Sequence, residues 1–492
     1  MTTKDLSSRQ ATVLLPELPA AAPLPGAVLF AFDDRAFPYR QSLQMHLIAG
    51  EKPRLVLAPG PAGSHDEGIL FYGSVIKIGD TFHMWYNGNY GPYRNTVNYE
   101  RTHCVLCYAN SKDGVHWEKP NLGLVEFNGS KNNNIVALDE PTLWSTAAVL
   151  YDSEEPDPKR RFKIAFEATF DGYGQLCVGY SADGLCWMRP FRGTGIGLEM
   201  SGITKHRGMY YVTGQGAGTT DYIVTSRKMV VVASADFEHW SPCPIIALDR
   251  SPQARTTAQE ADVSTTEEVH LGAGLWNRGN VILGVYGQWH GHPSGDRALV
   301  SIDLGLVISH DAQQYHEPIP NFKLVPAREQ KDRTPGFGPA LEQGQGMVNH
   351  GDQTLFWYSL WHGPAASGVR MVTWKRDRLG MLKPFRSQGA QAISSLIQAQ
   401  GGALPVAINA SGLSEHSQMR VSLLDRGFCP ITGFSGKDAA IVDADGLRTP
   451  LRWKGGEAIT PEMGLLRIQV EFAGIRPEDA CLHAVYVGQE ME

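Results

Sequence analysis

The chain has 492 residues, 42% of them hydrophobic and 19% charged, with a net charge of -7. That length suits two domains or one large repeat domain of ordinary soluble composition. No apolar run reaches the roughly 18 residues of a membrane-spanning helix, and no basic stripe points to nucleic acid, so neither a membrane nor a nucleic-acid partner is expected.

The first 29 residues read as an N-terminal extension. Their opening, MTTKDLSSRQATVLLPELPAAAPLPG, lacks a basic segment followed by an apolar core, so it does not resemble an export signal and a cytoplasmic location is expected. From about residue 30 to 385 the chain repeats itself. SKDGVHW (Ser111 to Trp117), SADGLCW (Ser181 to Trp187), SADFEHW (Ser234 to Trp240) and SHDAQQY (Ser309 to Tyr315) share Ser-x-Asp-x-x-x-aromatic, and KRDRLGM (Lys375 to Met381) is a degenerate fifth copy. Each copy reads as a tight turn in which the Asp side chain bonds backbone groups two residues on, so these aspartates are scaffold.

A β-hairpin precedes each copy: GSVIKIGDTFHMWYNG, STAAVLYDSEEPDPKRRFKIAFEA, GITKHRGMYYVTGQG, AGLWNRGNVILGVYGQ and GMVNHGDQTLFWYSLW. Two alternating or apolar runs flank a Gly, Asp or Asn turn in each. Five such units of about 50 to 75 residues predict an all-β five-bladed β-propeller. Residues 386–400 read as a linker, with a short helix over about 390–400. Residues 401–492 alternate as short strands and predict a C-terminal β-sandwich domain. Seven cysteines argue against a disulfide framework, and the lone Cys104–Cys107 CxxC reads as two faces of one strand.

In a propeller the first strands line a central channel, so polar residues at their starts converge on one mouth. Counting nine residues back from the hairpin glycine gives Glu199 before Gly208, Glu342 before Gly351, His270 before Gly279 and Leu70 before Gly79. Glu267 and Glu268 flank His270, and Asp66 and Glu67 lie just upstream of Leu70. Asp139 and Glu140 precede the second unit. Trp289, His290 and His292, with Trp361 and His362, follow the hairpin strands and suit a sugar-stacking rim. No HxxxH pair is present, so no metal ligand set is assigned and no cofactor is expected. A structural metal ion in the central channel and assembly into a homo-oligomer stay open.

SKDGVHWEKPNLGLVEFNGSKNNNIV, LFAFDD, FYGSVIKIGDTFHMWY, VRMVTWKRDRLGML and the C-terminal VSLLDRGFCPITGFSGKDAAIVDADG together resemble the five-bladed glycoside hydrolases. That superfamily comprises families 32, 43, 62, 68, 117 and 130, and the resemblance is nearest to a family 32-like group. It implies a glycosidase of carbohydrate metabolism with a carbohydrate substrate. It also implies that Glu199, in LEMSGITKHRG, holds the place of the family's acid/base. The family's nucleophilic Asp falls near Leu70 to Gly73, where LFYG has none, and Trp144-Ser145-Thr146 replaces the second-unit RDP. The expected mechanism therefore takes Glu199 as general acid and Glu67 as nucleophile or base, with Asp66 as its alternate. Glu342, Glu268 and His270 orient hydroxyls or tune charge. A phosphorylase or transglycosylase, with Arg94 and Arg297 as candidate phosphate ligands, and a non-catalytic carbohydrate-binding propeller are the alternatives.

Overall fold

The structure is a computed structural model that describes residues 11–17, 23–91, 103–138, 143–170, 173–190, 193–216, 227–250, 266–327, 338–361 and 368–489. Among these the regular elements are strands and short 3-10 turns, with no α-helix.

Five antiparallel units succeed one another. The first strands are Gly68–Ile78, Leu143–Tyr151, Leu198–His206, Glu267–Asn277 and Leu341–His350, and each pairs with the strand that follows it. The glycines at the hairpin tips (Gly79, Gly208, Gly279, Gly351) have φ between 54° and 79°, a left-handed turn that glycine adopts without steric cost. The first strands pack side by side in cyclic order, the fifth against the first. Parallel bridges join Tyr72 to Thr146 and Gln345 to Ser74. Glycines permit this approach: a Cβ at Gly202 would lie 2.1 Å from the Ala273 carbonyl oxygen, at Gly274 2.4 Å from that of Gly344, and at Gly346 2.4 Å from that of Val75.

The Ser-x-Asp turns form as the spacing predicts. Ser111 Oγ accepts from the Gly114 N–H, and Asp113 Oδ1 accepts from the N–H groups of Val115 and His116, both at 2.8 Å. The same bonds recur at 181–186, 234–239 and 309–314. Each contributes on the order of 1 kcal/mol. Neighbouring units interlock at the same turns, since Trp357 Nε1 donates to Gly114 O and Trp85 Nε1 to Gly184 O.

The fifth copy serves as a joint. Asp377 pairs with Arg278 of the fourth unit and accepts from Asn349 Nδ2 and from the Tyr486 hydroxyl of the C-terminal region, each at 2.9 Å. Cys104 and Cys107 are both buried and free, and they enter different apolar clusters on opposite faces of their strand.

Two seven-stranded sheets complete the chain and share one apolar core that includes Val13, Leu29, Leu382, Ile397, Leu466 and Val485. Here the structure differs from the boundaries expected. Thr12–Leu14 and Gly26–Phe30, within or overlapping the expected extension of residues 1–29, and Tyr39–Gln41 and Leu43–Leu47, within the expected repeat region, are strands of these sheets. The stretch expected to be linker and helix holds two strands, Gln391–Ile393 and Ile397–Gln400, pairing with Leu465–Ala473. Burial of alternate side chains overrides local helix propensity there. Glu51–Leu57 pairs with Val369–Lys375, so a strand from before the first unit becomes the outer strand of the fifth.

Candidate functional site

Every first strand breaks register at the same level. The breaks lie between Leu70 and Ser74, Leu143 and Ala147, Met200 and Gly202, His270 and Ala273, and Gln343 and Met347. Extra residues at a break swivel side chains off the alternating pattern, a device common beside active sites. In the fourth unit Leu271 and Gly272 take φ of 62° and 89°, which turns His270 and the next strand segment to different directions.

At the breaks, side-chain amides tie the first strands together. Gln343 Nε2 reaches Ser201 Oγ and the carbonyls of His270 and Gly272, at 2.9 to 3.2 Å. Gln345 accepts from the Ile203 N–H and donates to Val149 O, tying the fifth strand to the third and second.

Beside these ties the polar groups gather. Glu342 is fully buried; Ser359 Oγ donates to its Oε2 at 2.7 Å and itself accepts from the Phe71 N–H at 3.0 Å. Burial lifts the Glu342 pKa to about 8, against the opposing hydrogen bonds of Ser359, Phe71 and Tyr72. The Tyr72 hydroxyl lies 3.2 Å from His270 Nδ1. The His270 ring packs at 4.9 Å from Trp361 and 5.8 Å from Trp289. Thr146, whose buried hydroxyl has no partner among the described residues, is bridged to Tyr72.

Glu199 enters the same cluster from the third unit. Gln215 Nε2 donates to Glu199 Oε2 at 3.1 Å, while Gln215 Oε1 accepts from Arg227 and from the Leu271 N–H. Burial raises the Glu199 pKa, and the Arg227 guanidinium opposes that rise. The guanidinium rests on the Trp289 ring at 4.7 Å, a cation–π contact. Glu268 is fully buried and holds the Arg227 backbone in place, its Oε2 accepting from the Arg227 N–H at 3.4 Å and its Oε1 from Thr266 Oγ1 at 3.0 Å. Glu199, Glu342, His270, Glu268, Trp289 and Trp361 thus belong to one connected cluster.

Four expected residues stand apart from it. Glu67 accepts from the N–H groups of Gly63 at 2.6 Å and Gly91 at 2.9 Å, which makes it a loop staple. Asp66 is buried and bound to Lys119 at 2.5 Å and to the Tyr86 hydroxyl at 2.9 Å; despite burial these partners hold its carboxyl below the usual range. His290 lies on the face of its strand opposite Trp289, between Glu267 at 2.8 Å and Asp303 at 3.1 Å, and these carboxylates raise its pKa. His292 bonds Ser294 at an exposed turn. His362, Arg94, Asp139 and Glu140 lie outside the described residues, as does the side chain of Arg297.

The sequence pattern does not point to Tyr72, Gln215, Arg227 or Ser359. Tyr72 escapes because the Leu70–Ser74 break shifts it two places from the nine-residue ruler. Gln215 and Ser359 sit on second strands, in register with Glu199 and Glu342, so a search of cross-strand partners finds them. Among the described residues no group of three or more His, Cys, Asp or Glu is placed to hold a metal ion, and no helix is long and apolar enough to cross a membrane.

No family model matches the chain. Two uncharacterized proteins from Mycobacterium tuberculosis strains are each 31% identical to it over 165 residues, which cover 31% of this chain and 49% of theirs. The chain thus spans about half the length of the curated relatives it matches. Among solved structures it is similar to a glycosyl hydrolase from Bacteroides ovatus, at 13% identity and a TM-score of 0.45, over 70% of this chain and 96% of that one. It is also similar to a β-1,2-mannobiose phosphorylase from Listeria innocua in complex with β-1,2-mannobiose, at 12% identity and a TM-score of 0.45, over 69% and 98%.

Proposed function

We propose that the chain is a glycoside hydrolase on a five-bladed β-propeller with an appended β-sandwich, cleaving a small oligosaccharide or glycoside by carboxyl acid/base chemistry. One observation carries this reading: two buried carboxyls, Glu199 and Glu342, come from different units yet join one polar cluster walled by Trp289, Trp361 and His270. Aromatic walls suit the apolar faces of a sugar, and the quoted motifs point the same way.

The environments of the two carboxyls differ, and that difference assigns their roles. Glu342, with a pKa of about 8, is protonated at neutral pH and donates to the leaving oxygen. Burial raises the Glu199 carboxyl as well, but Glu199 faces a cation, Arg227, that opposes the rise, so it takes the second role, stabilising positive charge developing on the sugar or activating water. This exchanges the roles read from the sequence, where Glu199 is the acid, and leaves Asp66 and Glu67 to the scaffold. On this reading the described residues between 48 and 379 belong to the propeller, and those between 12 and 47 and between 380 and 489 to the sandwich.

Arg227 favours a second reading, phosphorolysis, because a cation beside the acids could hold phosphate. A panel of aryl furanosides and pyranosides, assayed with and without phosphate, separates these. Release of the aryl group without phosphate is expected. A strict phosphate requirement would identify a phosphorylase, and glycan binding without turnover a binding propeller.

A further inference from the structure

The first unit contributes neither of its candidate carboxylates to the cluster: Asp66 and Glu67 are both occupied elsewhere. What it contributes at the axis is Tyr72, 3% exposed and placed in the Leu70–Ser74 register break. Its hydroxyl meets His270 Nδ1 at 3.2 Å from the fourth unit and also acts on the Glu342 carboxyl from the fifth. His270 is in turn held by its ring contacts with Trp361 and Trp289. A weakly acidic nucleophile, a base within hydrogen-bond reach and a third group orienting that base is the general constellation of covalent catalysis, and tyrosine is among the side chains that serve.

Resting on the hydrolase reading above, we propose that Tyr72 is the covalent nucleophile of this site, with His270 as its base. In the first step the Tyr72 oxygen bonds to the anomeric carbon and its proton passes to His270 Nδ1. The bond from that carbon to the leaving oxygen breaks, and Glu342 protonates the departing group. In the second step water attacks the anomeric carbon and gives its proton to the Glu342 carboxylate. The carbon–Tyr72 bond breaks, and His270 returns the proton to the phenol. Atoms and charge balance without a further reactant, and two displacements give retention. A neutral phenol also avoids placing a third carboxylate beside Glu199 and Glu268, where mutual repulsion would disfavour ionisation.

The test uses the full-length protein and the sugar it turns over fastest in the aryl glycoside panel. The protein is treated with the 2-deoxy-2-fluoroglycosyl fluoride of that sugar, and the adduct is located by peptide mass mapping. An adduct on the peptide containing Tyr72, with at least a thousand-fold loss of kcat in Tyr72→Phe, is expected. An adduct on any other residue, or Tyr72→Phe turnover within ten-fold of the native rate, overturns the assignment and leaves the hydrolase reading standing. Labelling needs no variant, so a misfolded Tyr72→Phe protein does not block the test. Absence of turnover across the whole panel removes the hydrolase reading, and this assignment with it.

Discussion

Ser359 Oγ donates to Glu342 Oε2 at 2.7 Å while accepting from the Phe71 N–H, so one hydroxyl fixes the buried acid of the fifth unit to the first strand of the first. Its hydrogen bond lowers a carboxyl pKa that burial raises to about 8. A proton donor is lost as pH rises through its pKa, so activity should fall on an alkaline limb near 8. Ser359→Ala removes a lowering contribution and should move that limb to higher pH, with kcat reduced about ten-fold by lost orientation. The pH profile of kcat measures both effects.

The same carboxyl links stability to pH. Its folded pKa lies above the unfolded value, so its contribution is fully present below about 4.5 and is lost as pH rises toward 8. Glu342→Gln, which cannot ionise, should therefore be more stable than the native chain at pH 7 by about 3 kcal/mol. The difference should vanish below pH 4. Urea unfolding at the two pH values checks it.

Asp66 and Glu67 separate scaffold from chemistry. Breaking the Asp66–Lys119 pair by Asp66→Asn should cost about 2 kcal/mol, below the full penalty for a buried pair because Lys119 is partly solvated. Glu67→Gln weakens the loop staple without touching the acid cluster. Thermal melts should register the first change strongly, and both variants should keep kcat within about three-fold of native. A thousand-fold loss in either one would return the nucleophile role to that loop.

Ring closure depends on glycine. In Gly202→Ala the new methyl group would lie 2.1 Å from the Ala273 carbonyl oxygen, closer than any relaxed contact. A loss of several kcal/mol is expected, seen as a large fall in the denaturant midpoint. An unchanged midpoint would mean that the third and fourth first strands do not meet there.

Trp361 offers a binding test, because its ring packs at a tilt, 4.9 Å from His270, at the edge of the cluster. Trp361→Ala should raise KM about ten-fold, as expected for losing one aromatic contact, with a smaller change in kcat.

Much of this architecture was legible in the sequence because it is written locally. The Ser-x-Asp turns and the hairpin glycines announce themselves within seven to sixteen residues, and the nine-residue ruler finds Glu199, Glu342 and His270 together. What was not legible involves distant partners. Gly26–Phe30 pairs with Cys481–Gly488, and nothing in GAVLF names a partner more than 450 residues away. Glu51–Leu57 closes the fifth unit in the same silent way. The register breaks hid Tyr72, since counting by twos or nines fails where a strand carries extra residues. The settings of Asp66 and Glu67 were not legible, because an acid next to a first strand looks alike from sequence whether it faces the axis or staples a loop. Only the partners Lys119, Tyr86, Gly63 and Gly91 tell them apart.

The most direct test measures turnover and binding side by side for Glu199→Gln and Glu342→Gln, using the fastest aryl glycoside and calorimetry with its sugar. Two acids serving one bond predict that each variant loses kcat by a thousand-fold or more while Kd stays within a few-fold of native. Native turnover in both variants would contradict a shared active site at this mouth.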